Sequence, residues 1–198
     1  MKTAGFPDGH HALVRGPEFY DAEYRIKGLQ YGKPWHAWTH ANILWRPASK
    51  LMVPPLMDIG CGMGQLAEMC GDMGMDYACG VDVSSVAIEM AQSRMVHLRD
   101  HFVCGTFEQQ SEQWEYETAV LFEVLEHVMD DLRLLMAIPK GKRVVASVPM
   151  FQCEGHCRWF CDAMEIVDRY GLVLDLESIT PRRGEGRFAW WLFSGVRS

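Results

Sequence analysis

Three features are missing from this chain of 198 residues, and each absence excludes a class of protein. No apolar run approaches the roughly 20 residues that a membrane-spanning helix requires. The first ten residues lack the apolar centre of a signal peptide. We therefore expect a cytoplasmic protein with no membrane partner, and we expect its seven cysteines to be reduced thiols rather than a disulfide framework.

The third missing feature is an excess of positive charge. The formal net charge is -7 at pH 7, whereas a protein that binds nucleic acid needs a positive surface against phosphate. We therefore do not expect nucleic acid as a partner. Hydrophobic residues make up 48 % of the chain, which is enough for a folded core, and the length fits one domain with a small appendage.

Strand and helix patterns alternate along most of the chain. Five apolar runs are predicted strands: Leu56–Ile59, Tyr77–Val81, His101–Cys104, Thr118–Phe122 and Arg143–Val148. Four segments have helical patterns: Gln65–Asp72, Ser85–Leu98, Asp130–Ala137 and Asp162–Tyr170. This alternation predicts an α/β fold in which helices cover both faces of a mostly parallel sheet. The last two strand-like runs, Leu172–Ile179 and Phe188–Val196, have no helix between them, so we expect an antiparallel hairpin at the sheet edge.

The segment before the first strand has a different character. Residues 1–16 are expected to form a loose arm, and a helix is predicted after Pro17, a residue that suits the first helical position. A second helix is predicted over His36–Trp45, before Pro47. Aromatic residues are concentrated here, and Trp38 in particular either packs against the core or forms a wall for a flat or cationic substrate.

A turn with three alternating glycines follows the first predicted strand. The sequence there reads Asp58-Ile59-Gly60-Cys61-Gly62-Met63-Gly64 and continues into a helical pattern. A strand, a tight turn and a helix N-terminus form the place where α/β proteins bind adenosine-containing ligands. Because glycine has no Cβ, such a ligand can lie directly on the backbone.

The spacing and the charge of this turn separate two kinds of ligand. Nicotinamide cofactors use G-x-G-x-x-G, whereas this turn reads G-x-G-x-G. Asp58 stands two residues before the first glycine, and its negative charge would repel a pyrophosphate but attract an ammonium group. S-adenosyl-L-methionine carries an ammonium and a sulfonium and has no phosphate. Asp82, at the end of the second predicted strand, has the spacing of a carboxylate that accepts hydrogen bonds from a ribose.

The glycine turn, Asp82 and the run Phe122-Glu123-Val124-Leu125-Glu126-His127-Val128 together resemble class I S-adenosylmethionine-dependent methyltransferases. The resemblance is strongest to the group that includes the ubiquinone-biosynthesis O-methyltransferases. It implies a Rossmann-like, seven-stranded sheet, with a cofactor-binding domain over residues 51–198 and an N-terminal arm and helical lid over residues 1–50. It also implies methyl transfer to an oxygen of a small-molecule acceptor.

The resemblance assigns cofactor contacts residue by residue. Asp58 and the glycine turn would hold the methionine moiety, and Asp82 would bind the ribose. The residues expected to bind the cofactor are Asp58, Gly60, Cys61, Gly62, Gly64, Gln65, Asp82, Val83, Thr106, Phe107, Phe122 and Glu123. Thr106 departs from the family pattern, because relatives usually carry an acidic residue there. A hydroxyl can accept a hydrogen bond from the adenine amino group, but it brings no charge.

Catalytic candidates lie after the fourth and fifth predicted strands. His127 and His156 are candidate general bases beside Glu126, because the carboxyl ends of parallel strands meet at one edge of the sheet. The alternative is that these histidines only pack or cap. Glu123, Glu126, His127 and His156 are also a candidate site for a divalent cation.

Two further functions stay open at this point. The spacing Glu-x-x-Glu-His resembles the metal site of ribose O-methyltransferases that modify small-RNA 3′ ends, so a metal-assisted RNA ribose O-methyltransferase is an alternative. A catalytically inactive partner subunit that only binds the cofactor is another, and the missing acidic residue at Thr106 is its sequence hint.

Overall fold

A seven-stranded sheet forms the centre of the computed structural model, which describes residues 15–110, 112–186 and 188–198. The strands are β1 (Leu56–Ile59), β2 (Tyr77–Asp82), β3 (Phe102–Cys104), β4 (Thr118–Phe122), β5 (Arg143–Pro149), β6 (Leu174–Arg183) and β7 (Ala189–Arg197). Their order is β3-β2-β1-β4-β5-β7-β6. The first five strands are parallel, and β7 runs antiparallel to both of its neighbours. The predicted fold class and the C-terminal hairpin are confirmed.

Helices surround this sheet. The α-helices are α1 (Pro17–Tyr31), α2 (Arg46–Ser49), α3 (Gln65–Met73), α4 (Ser85–Arg94), α5 (Phe107–Gln110), α6 (Asp131–Ala137) and α7 (Ala163–Tyr170). Alternate residues of a strand point to opposite faces of the sheet. Met57 and Ile59 therefore lie in one buried apolar cluster, and Leu56 lies in the other. Among the described residues, no helix has both the length and the apolar character that a membrane span requires.

Two helix predictions need correction. The helix predicted over Ser85–Leu98 ends at Arg94, because Met95 has the non-helical angles φ -121° and ψ 67°. A 3-10 helix, Val96–His101, then leads into β3. Pro47 does not end a helix as predicted. It lies in the first turn of α2, a position where proline is tolerated.

The N-terminal segment also differs in detail from a single helix over His36–Trp45. A 3-10 turn, Trp35–Ala37, is followed by a π-helical turn, Ala41–Trp45, that continues directly into α2. Of the predicted loose arm, residues 1–14 lie outside the described residues. The helices and helical turns between Pro17 and Ser49 are together called the lid helices.

Candidate functional site

The glycine turn after β1 has a backbone that only glycine adopts easily. Gly60, Gly62 and Gly64 have φ values of 76°, 52° and 77°. A Cβ on Gly60 would lie 2.4 Å from a methyl carbon of Val124, and one on Gly62 would lie 2.8 Å from the hydroxyl of Tyr24. The turn therefore excludes side chains for two reasons, the backbone angle and the lack of space.

Asp82 joins this turn to the end of β2. Its Oδ2 accepts a hydrogen bond of 2.9 Å from the Gly62 N–H, and its Oδ1 accepts one of 2.9 Å from the Ser84 N–H. Burial raises the pKa of the Asp82 carboxyl, and the two backbone donors act in the opposite direction. Ser84 in turn caps α4, because its hydroxyl accepts from the Ala87 N–H.

Asp58 is buried at the base of the turn. Its side chain is 3 % exposed, and its Oδ2 accepts a hydrogen bond of 3.1 Å from the Tyr77 hydroxyl. Burial raises the pKa of Asp58 from 3.8 to about 7, and the charge of Asp82 acts in the same direction. The Asp58 carboxyl therefore bonds only a neutral donor among the described residues, and a nearby cation would favour its ionised form.

A cavity of about 230 Å³ opens above Asp58. The glycine turn and the carboxyl ends of β1 and β4 form its floor, and the lid helices form its other side. Its lining residues are Tyr24, Trp38, His40, Trp45, Asp58, Gly60, Cys61, Gly62, Gln65, Leu66, Phe122 and Glu123. The cavity thus combines two buried carboxyls with a largely aromatic cover.

Helix α1 is fixed over this region by Asp21. The Asp21 carboxylate accepts hydrogen bonds from the Ser84 hydroxyl (2.6 Å), the Ser85 hydroxyl (3.3 Å) and the Val86 N–H (3.2 Å). These bonds lower the pKa of Asp21. They anchor α1 to the N-terminus of α4, where a negative charge is favourable. The same helix places Tyr24 against the glycine turn.

Glu123 has an unusual backbone at the far end of the cavity. Its φ is 56°, a strained value for a residue with a side chain. Its Oε1 accepts a hydrogen bond of 2.8 Å from the Ser147 hydroxyl, and its Oε2 accepts one of 2.5 Å from the Trp190 indole N–H. Burial raises the pKa of Glu123 to about 7. The strained backbone and these two donors therefore hold the carboxyl in a fixed position facing the cavity.

Five of the predicted cofactor residues are not in the lining of the cavity. Gly64 is the N-cap of α3, Asp82 is the last residue of β2, and Val83 follows it. Thr106 and Phe107 follow β3, where Thr106 is exposed and Phe107 is buried in the core. The other predicted cofactor residues line the cavity.

The structure brings the three catalytic candidates together. Single ligand atoms of Glu126, His127 and His156 all lie within 4.8 Å of one another. Glu126 is fully buried, and both of its oxygens lack a hydrogen-bond partner among the described residues, as does Nδ1 of His156. Burial raises the pKa of Glu126 and lowers the pKa of both histidines, that of His156 to about 4. These three residues do not line the cavity.

Arg158 holds the two loops that carry this cluster. Its guanidinium donates to the backbone carbonyls of Leu125, Val128 and Met129, which follow β4. It also lies 3.3 Å from the buried carboxylate of Asp131. The loop after β5 is thereby fixed to the segment after β4, and the cluster keeps its shape.

Sequence reasoning missed several residues of the site. Tyr24 and Asp21 lie on α1, and nothing in the local sequence marks them as functional. His40 was only one member of an aromatic-rich segment, although it lines the cavity. Trp190 contacts Glu123 from a strand 67 positions away in the chain, a contact that no short motif reveals.

Comparison with known proteins identifies a family. A family described as "Methyltransferase domain" matches residues 28–141, which is more than half of the chain. A ubiquinone biosynthesis O-methyltransferase from Aliivibrio fischeri is 28 % identical over 126 residues, which cover 62 % of this chain and 52 % of that protein. A ribosomal protein L11 methyltransferase from Hahella chejuensis is 32 % identical over 65 residues, 33 % of this chain and 22 % of that protein. The chain thus spans about half the length of the ubiquinone O-methyltransferase from Aliivibrio fischeri.

Solved structures share the fold. A magnesium protoporphyrin IX methyltransferase from Synechocystis with bound S-adenosylmethionine has a TM-score of 0.63 at 15 % identity, covering 95 % of this chain and 100 % of that one. An N-methyltransferase from Bradyrhizobium japonicum in complex with S-adenosyl-L-homocysteine has a TM-score of 0.61 at 18 % identity. The match covers 83 % of this chain and 88 % of that one. At this identity the likeness establishes the architecture.

The close approach at Gly60 leads to a stability prediction. Gly60→Ala should lower the free energy of unfolding by about 3 kcal/mol, because a left-handed backbone and a clash with Val124 add together. Gly74→Ala is the matched control. Gly74 has φ 66°, but no atom lies within 4 Å of the position that a Cβ would take there. Gly74→Ala should therefore lower the free energy of unfolding by only about 1 kcal/mol. Urea unfolding measures both, and equal losses would contradict the steric account.

Proposed function

We propose that this chain, which belongs to the methyltransferase domain family, transfers a methyl group from S-adenosyl-L-methionine to an oxygen of a small molecule. The observation that carries the proposal is the cavity of about 230 Å³, in which a glycine backbone and two buried carboxyls face an aromatic cover. The cofactor supplies an electrophilic methyl group when it is bound. The chain must bind it, orient the acceptor and keep water out.

The residues present fit this cofactor. The backbone of Gly60 and Gly62 carries no side chain and lines the cavity, and Gln65 lines it beside them. Asp58 and Glu123 bond only neutral donors among the described residues, so a ligand with positive charge would gain from both. A pyrophosphate would meet the same carboxyls and be repelled. This charge favours the sulfonium nucleoside over a nicotinamide dinucleotide.

Asp82 is the proposed partner of the ribose hydroxyls. Each of its oxygens already accepts one backbone N–H, and a carboxylate oxygen can accept a further bond. Val83 and Thr106 extend from the neighbouring strand ends, and we assign the adenine to their side. Thr106 can accept a hydrogen bond through its hydroxyl but brings no charge there.

We assign residues 1–50 as the arm and lid, and residues 51–198 as the cofactor-binding domain. Trp38, Trp45 and Tyr24 from the lid helices line the cavity, and Asp21 anchors α1 to α4. An aromatic cover of this kind excludes water and gives a positively charged ligand favourable ring faces.

Two observations support a small acceptor with a hydroxyl group. The cavity has the size of a small-molecule site, and the acidic floor disfavours a nucleic acid backbone. A hydroxyl must lose its proton when its oxygen is methylated, and burial lowers the pKa of His40, which lines the cavity. A neutral imidazole can accept such a proton near neutral pH.

Calorimetric titration with S-adenosyl-L-homocysteine tests the cofactor site. Asp82→Asn should weaken binding about 10- to 100-fold, because a charged hydrogen-bond acceptor is lost. Asp168→Asn, at an exposed position of α7, should leave affinity unchanged. Undiminished binding by Asp82→Asn would contradict the assignment, as would preferential binding of NAD.

Transfer of tritium from methyl-labelled cofactor to a panel of phenols, alcohols and amines tests the acceptor class. We expect label on oxygen acceptors. A protein that binds the cofactor but labels none of the panel would instead match the inactive partner subunit.

A second assignment concerns the cluster of Glu126, His127 and His156, which we propose binds a divalent cation. Buried carboxylate oxygens without partners are costly, and a cation would compensate them. Nδ1 of His127 lies 3.1 Å from the Gly155 carbonyl, so it carries the proton and leaves Nε2 available. His156 bonds the Phe151 backbone and leaves Nδ1 available. Such second contacts are typical of metal-binding histidines, and imidazole with carboxylate suits zinc, iron, cobalt or manganese.

Cobalt(II) is a direct probe of this cluster. Chelator-treated protein titrated with cobalt should develop a visible absorption band, and Glu126→Gln should weaken binding at least about 10-fold because one ligand charge is lost. His97→Gln, at an exposed position, is the control. A cobalt titration that is identical in the wild type and in Glu126→Gln would rule the site out.

A further inference from the structure

One histidine of the described residues lines the cavity, and it is not one of the three clustered candidates. His40 stands immediately before the π-helical turn Ala41–Trp45. π-helical turns are rare in proteins, but those that occur are often found at functional sites. The turn places His40 in the lining of the cavity that Asp58 and Glu123 also line. His40 from the lid helices and the two carboxyls from the sheet edge therefore share one cavity.

The ring of His40 is held by aromatic neighbours rather than by hydrogen bonds. It stacks on Trp45 at 6.4 Å between ring centroids, and it meets Trp190 edge-on at 5.2 Å. Trp190 is the residue whose indole N–H holds the Glu123 carboxyl. Within the described part of the chain, no protein group hydrogen-bonds the ring nitrogens of His40. The orientation of the ring is therefore fixed while its nitrogens stay available to a ligand.

Burial also determines the protonation state of the His40 ring. It lowers the pKa of His40, and the positive charge of Lys33 acts in the same direction. The ring is therefore neutral near neutral pH and has a free lone pair. The ring lines the cavity, so the hydroxyl of an acceptor bound there is a proton donor for it.

The clustered histidines are less suited to this task. His127 and His156 contact each other at 5.0 Å between ring centroids and do not line the cavity. Their available nitrogens lie toward Glu126. A hydroxyl bound above the glycine turn would therefore meet His40 rather than either of them.

We propose that His40 is the general base of the reaction and takes the proton from the acceptor hydroxyl. This inference rests on the proposed function and adds a catalytic residue to it. The acceptor O–H bond breaks and its proton moves to a ring nitrogen of His40. The oxygen forms a bond to the methyl carbon as the bond from that carbon to sulfur breaks, and the donor leaves as a neutral thioether. The protonated ring later returns the proton to solvent.

Two probe acceptors separate a base from a residue that only positions the acceptor. Phenol must lose a proton, whereas 4-nitrophenol is largely ionised at mildly alkaline pH. His40→Gln should slow methyl transfer to phenol about 100-fold and leave transfer to 4-nitrophenolate little changed. His36→Gln, an exposed histidine of the same lid, should change neither rate. Calorimetry with S-adenosyl-L-homocysteine confirms that each variant is folded.

An optical readout does not depend on turnover. With S-adenosyl-L-homocysteine bound, the wild type should shift 4-nitrophenol toward its yellow phenolate at mildly acidic pH, because the protonated His40 ring stabilises the anion. His40→Gln should abolish that shift, and His36→Gln should keep it.

Several results would overturn the assignment of His40. They are an equal loss of rate with both phenols, no loss with either, the same pattern in His36→Gln, or a wild type that binds S-adenosyl-L-homocysteine but neither methylates nor ionises the phenols. A wild type that does not bind S-adenosyl-L-homocysteine would contradict the proposed function instead.

Discussion

Buried carboxyls without a matching cation are the constraint on which the site depends. Asp58 and Glu123 accept hydrogen bonds from Tyr77, Ser147 and Trp190, all of them neutral donors. Burial without a positive partner raises the pKa of both carboxyls to about 7. Carboxyls with pKa values raised in this way are concentrated at functional sites, and a ligand with positive charge would stabilise their ionised form. The charge that we propose selects the cofactor is thus also a cost to the stability of the protein.

The rest of the site is arranged around that acidic floor. Asp82 holds the glycine turn through Gly62 and joins it to the start of α4, and Asp21 anchors α1 at the same place. The lid helices are therefore held over the cavity by the contacts between α1 and the start of α4. This arrangement places His40 from the lid in the same cavity as Glu123. We assign binding to the sheet edge and proton transfer to the lid.

Local signals explain what could be predicted from the sequence. The strand, the turn and the helix around Gly60 are encoded by neighbouring residues, so their bounds were predicted within one residue. The kink at Met95 and the π-helical turn before α2 depend on packing, and both were missed. His40 gained its position from contacts with Trp190, which lies in the last strand. A contact between residues so far apart in the chain produces neither a periodic pattern nor a motif that can be recognised in a single sequence.

The most direct test of the acidic floor is proton release on cofactor binding. Asp58 has a pKa of about 7 in the free protein, so it is partly protonated near neutral pH, and a bound cation should lower that pKa. Calorimetric titration with S-adenosyl-L-methionine in buffers of different ionisation enthalpy measures the protons released. The account predicts release by the wild type near neutral pH and a smaller release by Asp58→Asn. Equal release by both proteins, or none by the wild type, would contradict it.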